Sequence, residues 1–137
     1  MTRQNPSNEE IASILNDAKT IAVVGLSDNP ERTSYQVSEA MQKAGYNIIP
    51  VNPKVETVLG EKAYASLGEI EENIDIINVF RRSEFLPQVA KEAIETDCTV
   101  FWAQQGVKND EAFDILKENG FTVIMDLCIK VAQAVLV

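Results

Sequence analysis

Between residues 20 and 35 the chain reads Thr-Ile-Ala-Val-Val-Gly-Leu-Ser-Asp-Asn-Pro-Glu-Arg-Thr-Ser-Tyr, an order of residue types suited to holding an anion. Ile21 to Val24 form an apolar, largely β-branched run that predicts a buried strand, and it stops at Gly25. A short polar loop begins with Leu26 and Ser27, and a helical pattern opens at Thr33 or Ser34. Gly25 lets backbone approach a ligand without a Cβ between them, and a helix start offers unpaired N–H groups at a positive dipole end. Ser27, Thr33 and Ser34 add hydroxyls, and Arg32 adds a permanent cation. The guest that such a set accommodates is a phosphate or a pyrophosphate.

The elements that must position these residues follow from apolar patterning. Strands are predicted over residues 20–25, 47–51, 74–80, 99–103 and 122–125, each short and nearly continuous in apolar residues. Helices are predicted over 8–18 with Ser7 as cap, 34–44, 65–70, 84–96, 110–119, and from 129 to the end. Gly45 and Gly120 fall where left-handed helix ends are wanted. Alternating strands and helices predict an α/β fold: a Rossmann-like, doubly wound parallel sheet of about five strands with helices on both faces. Residues 1–137 read as one domain, with no internal repeat and no linker.

Ligands of such sheets lie beyond the carboxyl ends of the strands, near the point where strand order reverses. Almost every uncommon polar residue falls on that edge. The second strand is followed by Asn52-Pro53-Lys54 and the third ends in Val79-Phe80-Arg81-Arg82. Gln105-Gly106 follows the fourth, and Asp126-Leu127-Cys128-Ile129-Lys130 follows the fifth.

Composition narrows the chemistry. The net charge is −9, from 12 basic and 21 acidic residues, which opposes a nucleic-acid partner. No apolar run has spanning length and the start is polar, so no membrane partner and a cytoplasmic location are expected. With no histidine, and with Cys98 and Cys128 lacking ligand neighbours, neither a metal centre nor a histidine triad is predicted. No nucleophile with an adjacent base can be assembled, so no catalytic residue is assigned and a binding module is favoured over an enzyme. The apolar stretch 131–137 suits packing on the sheet or on another subunit, so a homo-oligomer or a protein partner stays open.

An NAD-type site is the first alternative. After Gly25 the next glycine is Gly45, so the usual three-glycine fingerprint is missing. Asn52 stands where such sites place an acidic residue, and Lys54 beyond it suits an additional phosphate, which keeps NADP and a small reductase in play.

Taken together, Ala22 to Ser27, Asn29-Pro30-Glu31-Arg32, Ser34-Tyr35, Ile49 to Pro53, Val79 to Arg82 and Asp126 to Lys130 carry a resemblance. The chain resembles the small single-domain CoA-binding proteins, whose domain is similar to the CoA-binding domain of the succinyl-CoA synthetase alpha subunit. It departs from them at Leu127, where the family commonly has arginine. The resemblance implies coenzyme A or an acyl-CoA as ligand. Its pyrophosphate would lie on Gly25, Leu26, Ser27, Ser34 and Tyr35, with Arg32 reaching across. Lys54 would meet the 3′-phosphate, with Asn52 and Pro53 just before it in the same site. Val79, Phe80 and Arg81 would line the adenine, and Gln105-Gly106 would complete the far wall.

Plainer readings stand beside these. Gly25 also serves any tight strand-to-helix turn, and one of Arg81 and Arg82 is expected only to be solvated near the helix start at Ser83. Phe101, Trp102 and Cys98 read as core, and Asp126 as the cap of the last helix. Cys128 is either an inert packed thiol or one able to form a mixed disulfide with CoA.

Overall fold

The computed structural model describes residues 3–137. In chain order the elements are α1 (Asn8–Asp17), β1 (Thr20–Val24), α2 (Thr33–Lys43), β2 (Asn47–Val51), β3 (Thr57–Val58), β4 (Glu61–Lys62), β5 (Ile76–Val79), α3 (Leu86–Ala93), β6 (Val100–Ala103), α4 (Asp110–Glu118), β7 (Thr122–Ile124) and α5 (Ile129–Leu136). Ser7 caps α1 as expected, its hydroxyl accepting from the Glu10 N–H at 3.2 Å.

Five strands form one parallel sheet in the order β2-β1-β5-β6-β7. Side chains alternate across a strand, so each strand feeds two cores. Ile21 and Val23 of β1 join Ile48, Ile76 and Trp102 beneath α1, α2 and α5. Ala22 and Val24 join Ile77, Val79 and Phe101 beneath α3 and α4. This is the Rossmann-like, doubly wound sandwich, and it explains why strands apolar on both faces read as continuous runs. Phe101, Trp102 and Cys98 are all buried core residues. On α5, Ile129 and Ala132 face inward while Val131 and Val135 remain 53% and 73% exposed. No helix among the described residues is long and apolar enough to cross a membrane.

Two predicted elements differ. No α-helix forms over 65–70; a single 3-10 turn, Leu67–Glu69, stands there instead. Ahead of it, β3 and β4 make an antiparallel hairpin whose two turn residues, Leu59 and Gly60, have φ of 55° and 78°. Two consecutive left-handed residues give the mirror-image turn that matches strand twist, which makes a hairpin in a stretch where no element was predicted. The helix predicted over 84–96 is likewise shorter. Ser83–Phe85 forms a 3-10 turn and α3 then starts with a proline in its first turn, where no N–H is needed.

The chain runs outward from β1 to β2 and returns on the far side of β1 to form β5. Strand order therefore reverses between the ends of β1 and β5, where Gly25 and Phe80 meet. The Gly25 N–H donates to the Val51 carbonyl, and the Phe80 N–H donates to the Val24 carbonyl, each at 2.8 Å. Gly25 has φ +86°, and a Cβ on it would stand 2.4 Å from the Phe80 carbonyl oxygen. What approaches this glycine is thus the protein's own backbone.

Gly25→Ala combines left-handed strain with a backbone clash, and a destabilisation of about 2–4 kcal/mol is expected. It is read as a lower urea midpoint at unchanged slope; a wild-type midpoint contradicts the close approach. Burial pushes the Cys98 thiol above its ordinary value. The folded thiol keeps its proton to higher pH than the unfolded one, so this contribution is full below about pH 8.5 and declines as pH rises above it. Alkylation of native protein at pH 8 is expected at half-buried Cys128, with Cys98 reacting only on unfolding. Equal rates, measured by mass spectrometry, would refute the assignment of Cys98 to the core.

Candidate functional site

A cleft of about 660 Å³ opens at the point of strand reversal. Its floor is Val24, Gly25 and Val51, the carboxyl ends of β1 and β2. One wall is Asn52, Pro53 and Lys54 together with Ala65, Ser66 and Leu67. The opposite wall is Phe80, Arg81 and Arg82, then Phe85, Val89 and Glu92 from the following turn and α3.

The second wall is organised by one aromatic ring. The Arg81 guanidinium lies 4.8 Å from the Phe85 ring centroid, and that of Arg82 lies 5.7 Å from it. Phe85 follows the two arginines by four and three residues, and the 3-10 turn Ser83–Phe85 returns its ring to both. Arg82 also stands 3.7 Å from Glu84, whereas Arg81, Lys54 and Arg32 form no ion pair among the described residues. An acidic protein thus gathers three cations on the rim of one cleft, with Glu92 as the acid in its wall. Both arginines line the cleft, and Arg82, 82% exposed and paired with Glu84 at the start of the turn Ser83–Phe85, is the one that fits the solvated position expected of one of the pair.

The first wall depends on Asn52. Its side-chain N–H donates to the Leu26 carbonyl at 3.0 Å, and its side-chain oxygen accepts from the Lys54 N–H at 2.9 Å. Its own backbone N–H donates to the Tyr64 carbonyl at 2.8 Å, beside the single parallel bridge between Val51 and Tyr64. That bridge brings Ala65 to Leu67 to the cleft.

The β1–α2 loop adjoins the cleft through Gly25 and folds upon itself. Leu26 is fully buried in the core under α1, α2 and α5. The Ser34 hydroxyl accepts from the Ser27 N–H at 3.1 Å, and the Ser27 hydroxyl accepts from the Asn29 N–H at 3.0 Å. A hydroxyl that accepts in this way keeps its own proton to donate. Arg32 is the N-cap of α2 and makes no side-chain capping bond, so no side chain caps the helix's first turn. Ser27, Arg32, Ser34 and Tyr35 belong to this loop and helix start rather than to the cleft lining.

The remaining predicted residues lie apart. Val79 is fully buried, with its side chain in the core under α3 and α4. Gln105 and Gly106 are exposed on the β6–α4 loop, away from the cleft lining. There the Gly106 N–H donates to the Asp126 carboxylate at 2.6 Å. Asp126 is therefore a brace between two loops, not the cap of α5 as expected. Gln104 takes the capping role instead, its side-chain oxygen accepting from the Ile129 N–H at 3.3 Å while its amide nitrogen donates to Asn78. Cys128 is the half-buried N-cap residue of α5. Leu127, at the position where arginine was expected, packs against the core and accepts the Trp102 indole N–H on its carbonyl at 2.8 Å.

Sequence reading missed Val24, Val51, Arg82, Phe85, Val89, Glu92 and residues 65–67 of the lining. The signal for Phe85 was an aromatic close after two arginines; the approach of residues 65–67 depends on a bridge between distant segments and had none.

Three similarities bear on this geometry. The protein is 67% identical over 132 residues to YneT of Bacillus subtilis, covering 96% of this chain and 98% of that one. It superposes on a hypothetical protein from Pyrococcus horikoshii with a TM-score of 0.92 and 32% identity, over 99% of both chains. A shorter match, 34% identical over 76 residues, links it to the alpha subunit of the ADP-forming acetate–CoA ligase II of Pyrococcus furiosus; it covers 55% of this chain and 17% of that subunit. The family described as CoA binding domain matches residues 19–134, which hold the five-stranded sheet, α2 to α4, most of α5 and the whole cleft lining, and the chain belongs to that family.

Proposed function

We propose that this protein binds coenzyme A, or an acyl-CoA, at the carboxyl edge of its sheet and acts as a binding or regulatory module. The observation that carries this reading is the cationic cleft at the strand reversal, built by Lys54, Arg81 and Arg82 in a chain of net charge −9 that belongs to a CoA-binding family. In this reading Lys54 meets the 3′-phosphate of the ribose, and Phe80 with the stacked arginines faces the adenine. The pyrophosphate lies over the β1–α2 loop, where the Ser27 and Ser34 hydroxyls, the α2 N-terminus and Arg32 supply donors and charge. Only favourable binding is asked of these groups; no paired nucleophile and base stands among them.

A second reading is kept alive by Lys54, since a cation after the second strand also suits the ribose phosphate of NADP. Calorimetric titration of nucleotide-stripped protein separates the two. CoA is expected to bind about tenfold more tightly than dephospho-CoA, a difference of ~1.4 kcal/mol for one exposed charge-assisted contact. Lys54→Ala should remove most of that preference while changing dephospho-CoA affinity little. Heat from NADP with none from CoA would select the dinucleotide reading. Phe85→Leu frees both guanidiniums from their ring and should weaken CoA severalfold; unchanged affinity would remove the stacked pair from the site.

A further inference from the structure

We propose that Asn52 is a positioning residue that sets the preference of the cleft for a phosphorylated ribose by fixing where Lys54 stands; the proposal rests on the assignment of Lys54 to the 3′-phosphate. Lys54 is exposed and carries a long side chain with many rotamers, so its charge meets a ligand phosphate only at an entropic cost. That cost falls if the backbone that bears it is held. Asn52 holds it. Its side-chain oxygen accepts from the Lys54 N–H at 2.9 Å, closing a turn over Pro53, whose ring fixes its own φ.

The same amide ties this turn to the rest of the cleft. Its N–H donates at 3.0 Å to the carbonyl of Leu26, a residue with no exposed surface that follows Gly25 directly. The Asn52 backbone N–H reaches Tyr64 at 2.8 Å, which seats the segment leading into Ala65 and Ser66. One side chain therefore sets the position of Lys54 relative to the β1 loop, the end of β2 and the outer wall. The task needs both an acceptor and a donor at this reach. Aspartate would turn a carboxylate toward the Leu26 carbonyl, and alanine loses both bonds. Serine keeps an acceptor for the N–H two residues on, more weakly, and cannot span to Leu26.

A double-mutant cycle tests this with CoA and dephospho-CoA as probes, each variant first checked for wild-type folding by urea titration. Asn52→Ala is expected to lower the preference for CoA over dephospho-CoA about fivefold. In a Lys54→Ala background, Asn52→Ala should leave the ratio of the two affinities unchanged. Asn52→Ser should restore part of the lost preference, and it carries the test if Asn52→Ala does not fold. Equal weakening of both ligands overturns the proposal, because a purely structural role or a direct contact elsewhere predicts that result. So does a change in the ratio that persists without Lys54. The wild-type titration reads the underlying assignment separately: a protein that takes CoA no better than dephospho-CoA loses the Lys54 contact, whatever Asn52 does.

Discussion

The closeness of two strand ends governs this molecule. Gly25 lies so near the Phe80 carbonyl that any side chain there would collide with backbone, and its φ of +86° is itself one that L side chains rarely adopt. The two central strands can therefore stay paired to their last residues, with hydrogen bonds of 2.8 Å on either side of the junction. Because β1 and β5 are also the strands between which the winding reverses, the connections leaving them diverge to opposite faces of the sheet. The cleft is the space that this divergence leaves. Gly25 thus shapes the junction at which it lines the cleft.

That placement determines the electrostatics. The residues leaving β5 are Phe80, Arg81 and Arg82, and the turn into α3 returns Phe85 beneath both guanidiniums. Stacked arginines on a ring keep their hydrogen-bonding edges free while losing little freedom on binding. Lys54 faces them from β2, on a turn built by Asn52. In a chain with nine more acidic than basic residues, such a cluster stands out against the general field and would draw a polyanion to one edge.

Other strand ends are spent on internal bracing. Gly106 and Asp126 link the loops after β6 and β7, Asp126 adopting φ 60° to do so. The Asn5 side chain both donates to the Met125 carbonyl and accepts from its N–H, satisfying backbone groups at the end of the edge strand β7. Polar residues at a carboxyl edge are therefore of two kinds, and their position in the sequence does not distinguish them.

The chain by itself determined the elements and their class. Short β-branched runs separated by helical periodicity, with Gly45 and Gly120 at helix ends, are local signals, because strand burial and helix capping act within a few residues. The strand-end location of Gly25, Asn52 to Lys54 and Phe80 to Arg82 followed from the same logic, and all of these line the cleft. What the fold alone decided were matters of distance between segments. The hairpin of β3 and β4 formed where no element was expected, because two left-handed residues turned the chain back, and the helix expected over 65–70 shortened to a 3-10 turn. A single bridge from Val51 to Tyr64 brought residues 65–67 to the cleft. Asp126 and Gln104 exchanged the capping role expected of the first, and Val79 turned its side chain into the core. Local pattern cannot reach these outcomes, since each depends on which backbone carbonyl or N–H a distant loop presents, and only the assembled sheet sets that.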